Sequence, residues 1–448
     1  MQNQPLHRRG FLRRTLVGPL AALAAPTLIP ASVRGQHPPN SRIGVGFIGT
    51  GRQAYHANLL PFLVSAETQV VAVCDVDHWR MEQAQTRVQD HYSSTQPGPH
   101  YQGCAGIGDF RELLARADVD AVVISTPDHW HAVMSVATAR AGKHICLEKP
   151  ISLSIRQGRA IADAATKHGR IFRTDTEVRT SREFRQLRQI VRTGRIGKVQ
   201  RVLAGVPNEQ PPVPFQSEMP IPADLNYPLW LGPAPQTPYT EQRVHVPHNL
   251  RARPGWMLIP DYCDGMICNW GAHLLDIVQW TLDTEHTGPV RVEGTGEFHP
   301  AEGLSGVLGS FAVRYTYATG VTLDYRIAGR PFVRFEGDLG WVEAEWWKGL
   351  QAGSPDLLRE PIESDGLTTR RVNEKLDFID SILANRQTLI PAEVGHRTNS
   401  LCQLGLIAIQ SGRPLVWDPV TEHFENDPAA EQRLDRPLRA PWSIQDSG

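Results

Sequence analysis

The sequence predicts an α/β chain in two parts, a doubly wound parallel sheet followed by an α+β region with a largely antiparallel sheet. Three observations predict it. A glycine-rich turn, GFIGTGRQA at residues 46–54, follows a short apolar run. Apolar strand-like segments then recur between helix-like stretches of roughly 10–15 residues, the pattern of a parallel sheet covered on both faces. Beyond about residue 175 the runs VRVEGTGEF, GVLGSFAVRYTY, GVTLDYRIAG, PFVRFEGD and GWVEAEWW alternate, which suits a sheet with one solvated face.

In order, the first strand covers about Arg42 to Ile48, and a helix from about Arg52 to Leu63 leads to the strand Gln69–Cys74. A helix from near Asp77 towards Gln89 ends in the loop HYSSTQPGPH, rich in turn formers. FRELLARADVD reads as a helix and its exit, and AVVISTP as an apolar strand stopped by proline. Helix His131–Ala141 passes through Gly142 to the strand HICLEKP, followed by helix Ser154–His168 and strand Arg170–Thr174. The second part opens with helix Arg182–Thr193 and strand GKVQRVLAG. Residues 205–260, rich in proline and tryptophan, form an irregular excursion of the kind that serves a site. A helix from about Asn269 to Leu282, the alternating strands and two helices, VNEKLDFIDSILA and NSLCQLGLIAIQS, follow. The expected domains are 42–175 and 176–412, with a polar tail at 413–448.

At 448 residues the chain is long enough for two cores. An apolar content of 41%, a charged content of 21% and a formal charge of -1 describe a globular protein with no bias towards nucleic acid. The six cysteines are too few and too scattered for a disulfide framework, and Cys263 and Cys268 lack a second pair to complete a zinc site. No metal site is expected.

The amino terminus differs. Residues 1–66 contain no Asp or Glu, and HRRGFLRR precedes the mildly apolar TLVGPLAALAAPTLIPASV. Its three prolines and one glycine make it a poor membrane anchor. The stretch resembles a twin-arginine (Tat-type) signal peptide over residues 1–31, with 32–41 as linker. That implies export to the periplasm through the twin-arginine machinery. An uncleaved basic leader on a cytoplasmic protein is the alternative.

The candidate chemistry gathers where strands end. Gly49, Thr50, Gly51 and Arg52, with Ala54 behind them, suit a strand-to-helix turn that lets a pyrophosphate approach the backbone. Asp75, closing the next strand, can hydrogen-bond both ribose hydroxyls and would repel a 2′-phosphate. NAD is therefore expected over NADP, although His78 and Arg80 lie close in sequence. Ser125, Thr126, Pro127 and His131, at the end of the third apolar strand where open sheets bind ligands, are candidate cofactor contacts. Capping and packing is the plain account of His129 and His131. Glu148 and Lys149 end an apolar strand. Lys149, at the sheet's carboxyl edge, can reach both the nicotinamide of the cofactor and a substrate hydroxyl. Burial would lower its pKa and permit proton exchange, while Glu148 steadies it or grips a cofactor ribose. A salt bridge at the proline turn is the plain account. Asn269, His273 and Asp276 share a helix face, with His273 a candidate acid/base group. Tyr227, Arg243, His245, Tyr262 and Asp276 are candidate substrate contacts.

The glycine run, TPDHWH, EKP and the Gly-x-His-x-x-Asp helix together resemble the family of glucose–fructose oxidoreductase, inositol dehydrogenase and rhizopine-catabolism proteins, over residues 42–412. The resemblance implies a Rossmann domain, then a domain with a large open mixed sheet through which dimers or tetramers assemble. It implies hydride transfer between a hydroxyl-bearing sugar or cyclitol carbon and nicotinamide, with Lys149 and His273 as the proton-transfer groups. Asn269 stands where the family usually has an acid, so it can orient His273 but cannot take a proton. A periplasmic enzyme would need tightly held NAD. The family branch of NAD-using glycosidases, which oxidise a sugar transiently and eliminate the aglycone, needs the same two residues. A non-catalytic cofactor- or sugar-binding protein is the third reading.

Overall fold

The computed structural model describes residues 42–95, 101–300, 302–359 and 374–445. The arginine-rich leader and the linker 32–41 lie outside them.

Six strands, β1 (Ile43–Ile48), β2 (Thr68–Cys74), β3 (Ala105–Ile107), β4 (Ala121–Ile124), β5 (His144–Glu148) and β6 (Phe172–Asp175), form the first sheet. All pairs are parallel and the order is β3-β2-β1-β4-β5-β6. Every residue of β1, β4 and β6 is buried, as expected for strands covered on both faces. Strand order reverses between β1 and β4, so a crevice opens at their carboxyl ends, beside Gly49 and Ser125. The helix after β2 runs from His78 to Thr95, absorbing part of the expected loop. Tyr92 on its buried face ties this helix to the sheet, its phenolic oxygen accepting Val70 N–H at 2.9 Å.

The second sheet holds β7 (Val199–Val206), β8 (Arg291–Phe298), β9 (Leu308–Thr316), β10 (Thr322–Ile327), β11 (Phe332–Gly337), β12 (Trp341–Glu345), β13 (Gly349–Ala352), β14 (Leu415–Asp418) and β15 (His423–Phe424). The order is β13-β12-β11-β7-β10-β9-β8-β14-β15, mixed and mainly antiparallel, with β7 and β10 the parallel pair. Alternation decides its faces. Phe311, Val313 and Tyr315 of β9 are buried, and Ser310, Ala312 and Arg314 between them are exposed. The buried face packs on helices Arg182–Arg192, Gly271–Leu282 and Ala392–Ser411. On the open face Asp324 holds Arg201 at 2.5 Å and Arg314 at 2.7 Å.

The described residues from 42 onward form one compact unit. The reason is helix Ala392–Ser411, which packs against helix Ile155–Lys167 of the first sheet and against β8 of the second. The described part of the expected tail, 413–445, is also tied to both sheets. β14 pairs with β8, and Trp442 packs edge-on against Trp130 with centroids 4.7 Å apart. Burial of those large rings ties the carboxyl end back to the first sheet.

Candidate active site

One cavity of about 490 Å3 runs from the glycine turn to the helix that carries His273. Gly49, Gly51, Arg52, Asp75, Ser125, Thr126, Pro127, Glu148, Lys149, Asn269 and His273 all line it. Gly49 is where the turn needs glycine: φ is +83°, and a Cβ there would stand 2.7 Å from the Ser125 carbonyl oxygen. Thr50 is buried and does not line the cavity. Its N–H and hydroxyl donate to Asp75 Oδ2 at 2.7 and 3.0 Å, so it positions the carboxylate rather than the ligand. Asp77 N–H donates to Asp75 Oδ1 at 2.9 Å.

The helix after the turn contains a π segment, Ala54–Asn58. π turns inside helices often sit at functional sites, and this one aims Asn58 at the sheet edge. Asn58 Nδ2 donates to Glu148 Oε1 at 2.7 Å and to Ser125 Oγ at 3.0 Å. Burial, with Asp175 adding to it, pushes the Glu148 carboxyl up to about 7.

Lys149, at the carboxyl edge of β5, donates Nζ hydrogen bonds to Asn269 O and Oδ1, both at 3.1 Å. Burial lowers its pKa, opposed by Glu148 and then Asp128. Asp128 is itself raised by burial to about 8. Burial thus favours the neutral form of both the Asp128 carboxyl and the Lys149 amine, which line the same cavity.

His273 is buried, and its Nδ1 bonds the Thr176 carbonyl oxygen. A carbonyl can only accept, so Nδ1 carries the hydrogen and Nε2 keeps its lone pair. Burial first, and the Lys149 charge second, hold its pKa well below the usual range. The expected pairing of Asn269 with His273 is not formed. The helix is interrupted at Trp270 between Met266–Asn269 and Gly271–Leu282, which turns Asn269 towards Lys149.

Several expected contacts lie elsewhere. His131 does not line the cavity; it is fully buried, with Nδ1 2.7 Å from Pro150 O and Nε2 3.0 Å from Thr126 O, bracing both turns from behind. Asp276 is no substrate contact, because it is fully buried and receives Arg179 Nε and Nη2 at 2.7 Å each. Tyr227 and Tyr262 belong to the excursion's own core. The Tyr227 hydroxyl donates to Thr237 O at 3.0 Å, and Tyr262 Oη lies 3.1 Å from Thr237 Oγ1. Arg243 reaches Tyr262 Oη at 3.4 Å and does not line the cavity. His245 lines it, but at the end near Asp75, where Nε2 is 2.8 Å from Asp77 Oδ2.

Sequence reasoning missed Asn58, Asp128, Glu177, Trp346 and Trp347, all but Asn58 lining the cavity. Glu177 has φ of +60° and pairs with Lys375 Nζ at 2.7 Å. Asp128 lies within the TPDHWH run at the strand's carboxyl end, whereas no local pattern marks the other four, which are brought to the site by tertiary structure.

The cavity's walls fit a dinucleotide on their own geometry, through the lining glycines Gly49 and Gly51, the Asp75 carboxylate and the buried, unpartnered Thr126 Oγ1. Comparison with known proteins agrees. Residues 43–176 match the oxidoreductase family's NAD-binding Rossmann fold, and residues 214–444 match its C-terminal alpha/beta domain. The chain belongs to the Gfo/Idh/MocA oxidoreductase family.

Among Gfo/Idh/MocA relatives, a glycosyl hydrolase family 109 protein of Shewanella putrefaciens is 29% identical over 157 residues, 35% of this chain and 33% of that protein. An alpha-N-acetylgalactosaminidase of Shewanella oneidensis is 30% identical over 157 residues, with the same coverage of 35% and 33%. The chain thus spans about a third of the length of these curated relatives. The fold is similar to that of aldose–aldose oxidoreductase from Caulobacter crescentus complexed with glycerol, with TM-score 0.61, 18% identity and coverage of 84% of this chain and 99% of that one. It is similar also to the WlbA dehydrogenase from Bordetella pertussis in complex with NADH and UDP-GlcNAcA, with TM-score 0.61, 14% identity and coverage of 84% and 98%.

Proposed function

We propose that this Gfo/Idh/MocA protein is an NAD-dependent oxidoreductase that moves a hydride to or from a hydroxyl-bearing carbon of a sugar or cyclitol. The observation that carries the reading is Lys149, held by Asn269 and made less basic by burial, in one cavity with a neutral His273. NAD, when bound, supplies the hydride acceptor. Gly49, Gly51 and Arg52 would hold its pyrophosphate and Asp75 its adenosine ribose. His273 Nε2 and Lys149 Nζ take and return the substrate's hydroxyl proton. Trp346 and Trp270 beside His273 restrict water there. The test uses cofactor-loaded protein with a panel of sugars and cyclitols and a second sugar or keto acceptor, following net oxidation. No turnover across the panel rejects the reading.

The curated relatives favour a second reading, glycoside cleavage by transient oxidation and elimination. It predicts aglycone release without net NADH and solvent deuterium at the carbon next to the oxidised one.

The leader supports export by the twin-arginine machinery to the periplasm, which would require NAD to be carried tightly bound. Fusing residues 1–41 to a reporter and following its translocation tests this. A homodimer or homotetramer through the open sheet face is supported by family membership, and light scattering of the purified protein tests it.

A further inference from the structure

Beyond the reacting end of the cavity, the turn joining β12 to β13 carries two adjacent tryptophans, Trp346 and Trp347. Their rings are stacked, with centroids 5.3 Å apart and planes inclined by 27°. Trp270 meets both edge-on, at 5.5 and 5.8 Å. Trp346 also stands edge-on to His273 at 5.1 Å. The rings therefore lead outward from the proposed acid/base group. All three tryptophans line the same cavity as Lys149.

Trp347 is placed against both of the preferences that govern a folded chain. It is 74% exposed, although indole is among the side chains that gain most from burial. Its φ is +68°, a region that a bulky side chain rarely enters, with Gly349 two residues on able to take such a conformation freely. Strained backbone persists where the surrounding structure enforces it, and such residues concentrate at ligand sites.

We propose that Trp346 and Trp347 form a platform for a second ring, so that the substrate is a glycoside with a ring on its aglycone side rather than a free monosaccharide. This rests on the sugar reading above, and holds for net oxidation and for cleavage alike. A pyranose presents axial C–H groups on one face, and a planar aryl aglycone presents its own π face. Either covers an indole and displaces water from it, whereas the reacting ring's hydroxyls need the polar groups around Lys149 and His273. One cavity thus holds a polar end for the reacting ring and an apolar step for its neighbour.

The experiment measures equilibrium binding to the NAD-loaded protein by calorimetry. It uses matched sets of a monosaccharide, its disaccharides and its p-nitrophenyl glycosides. The wild type is expected to prefer the two-ring ligands, and Trp347→Ala to lower the ratio of two-ring to monosaccharide affinity about tenfold. Trp347→Tyr should restore part of it. Disaccharide and aryl glycoside are separate arms, and a preference for either supports the platform. A wild type that binds monosaccharides as well as their glycosides overturns this proposal alone. Binding of none of these ligands sinks the sugar reading with it. If Trp347→Ala changes the subunit number while leaving the affinity ratio intact, the rings serve a subunit contact and the platform is rejected.

Discussion

Lys149 Nζ makes two hydrogen bonds to one residue, Asn269, at 3.1 Å to the backbone carbonyl and 3.1 Å to Oδ1. A neutral amine has two N–H groups. With both engaged by Asn269, the lone pair is the feature left for a substrate proton. Asparagine suits this arrangement, because it accepts without adding negative charge beside an amine that must lose its proton.

Asn269→Asp should therefore slow oxidation at neutral pH. A carboxylate within hydrogen-bond distance favours the ammonium form and raises the Lys149 pKa. The rising limb of kcat/KM against pH then moves to higher pH. An unmoved limb would show that Lys149 is not the titrating base.

Lys149→Met and His273→Ala should each lower kcat by about 100- to 10,000-fold, the span of general acid–base catalysis. NAD affinity should change little, since neither residue touches the glycine turn at Gly49. If the two act on one proton, the double variant falls less than the product of the single effects. Calorimetric NAD titration beside stopped-flow hydride transfer checks both parts.

The strands of the first sheet and the glycine turn were legible because they rest on local signals: apolar runs such as AVVI, the Gly-x-Gly at Gly49 and Gly51, and acids or lysines ending apolar strands. Asp75, Lys149 and His273 all reach the cavity as the sequence suggests. The excursion was read less well. Tyr227 and Tyr262 look like sugar contacts in a proline-rich stretch, yet each hydroxyl bonds within the excursion and the rings pack with Trp230. Periodicity cannot separate a loop's private core from a binding wall. Asp276 shares a helix face with His273 on paper, but Arg179, ninety-odd residues upstream, claims it. Trp346 and Trp347 read as the end of a strand, and only the hairpin's place beside Trp270 makes them part of the cavity.

Asp276→Ala should destabilise the fold by about 3 kcal/mol, near the lower end for breaking a buried pair, because Glu285 still holds Arg179 at 2.6 Å. Denaturant unfolding measures the loss. The KM of the folded enzyme should stay close to that of the wild type, and a large rise would return Asp276 to the substrate site.

Glu148 links the site to stability. Its carboxyl rises from 4.5 to about 7 on folding, mainly through burial. Between those values the native state keeps a proton that the unfolded chain has released, so stability falls as pH rises through the window and levels off above it. Glu148→Gln keeps an acceptor for Asn58 and removes the titration. The variant's unfolding free energy should be flatter than the wild type's from about pH 4.5 to about pH 7, as measured by urea midpoints. Parallel curves would show that Glu148 does not titrate in this range.

Asp75 and Arg80 face the cavity side by side, with opposite consequences for a 2′-phosphate. The carboxylate repels it. The guanidinium attracts it, and Arg80 Nη1 stands 3.6 Å from where a Cβ on Gly51 would be. Arg80 is held by Asn249 O at 3.0 Å and by Asp77 at 3.6 Å, so it is fixed beside the turn in advance. Asp75→Ala should reduce the preference for NAD over NADP at least about tenfold, since like charges in contact cost several kcal/mol. Adding Arg80→Ala should remove most of the NADP gain. Dissociation constants for the two cofactors, measured in the wild type and both variants, decide it. A single variant that still prefers NAD as strongly would show that the shape of the cleft, not the charge of Asp75, selects the cofactor.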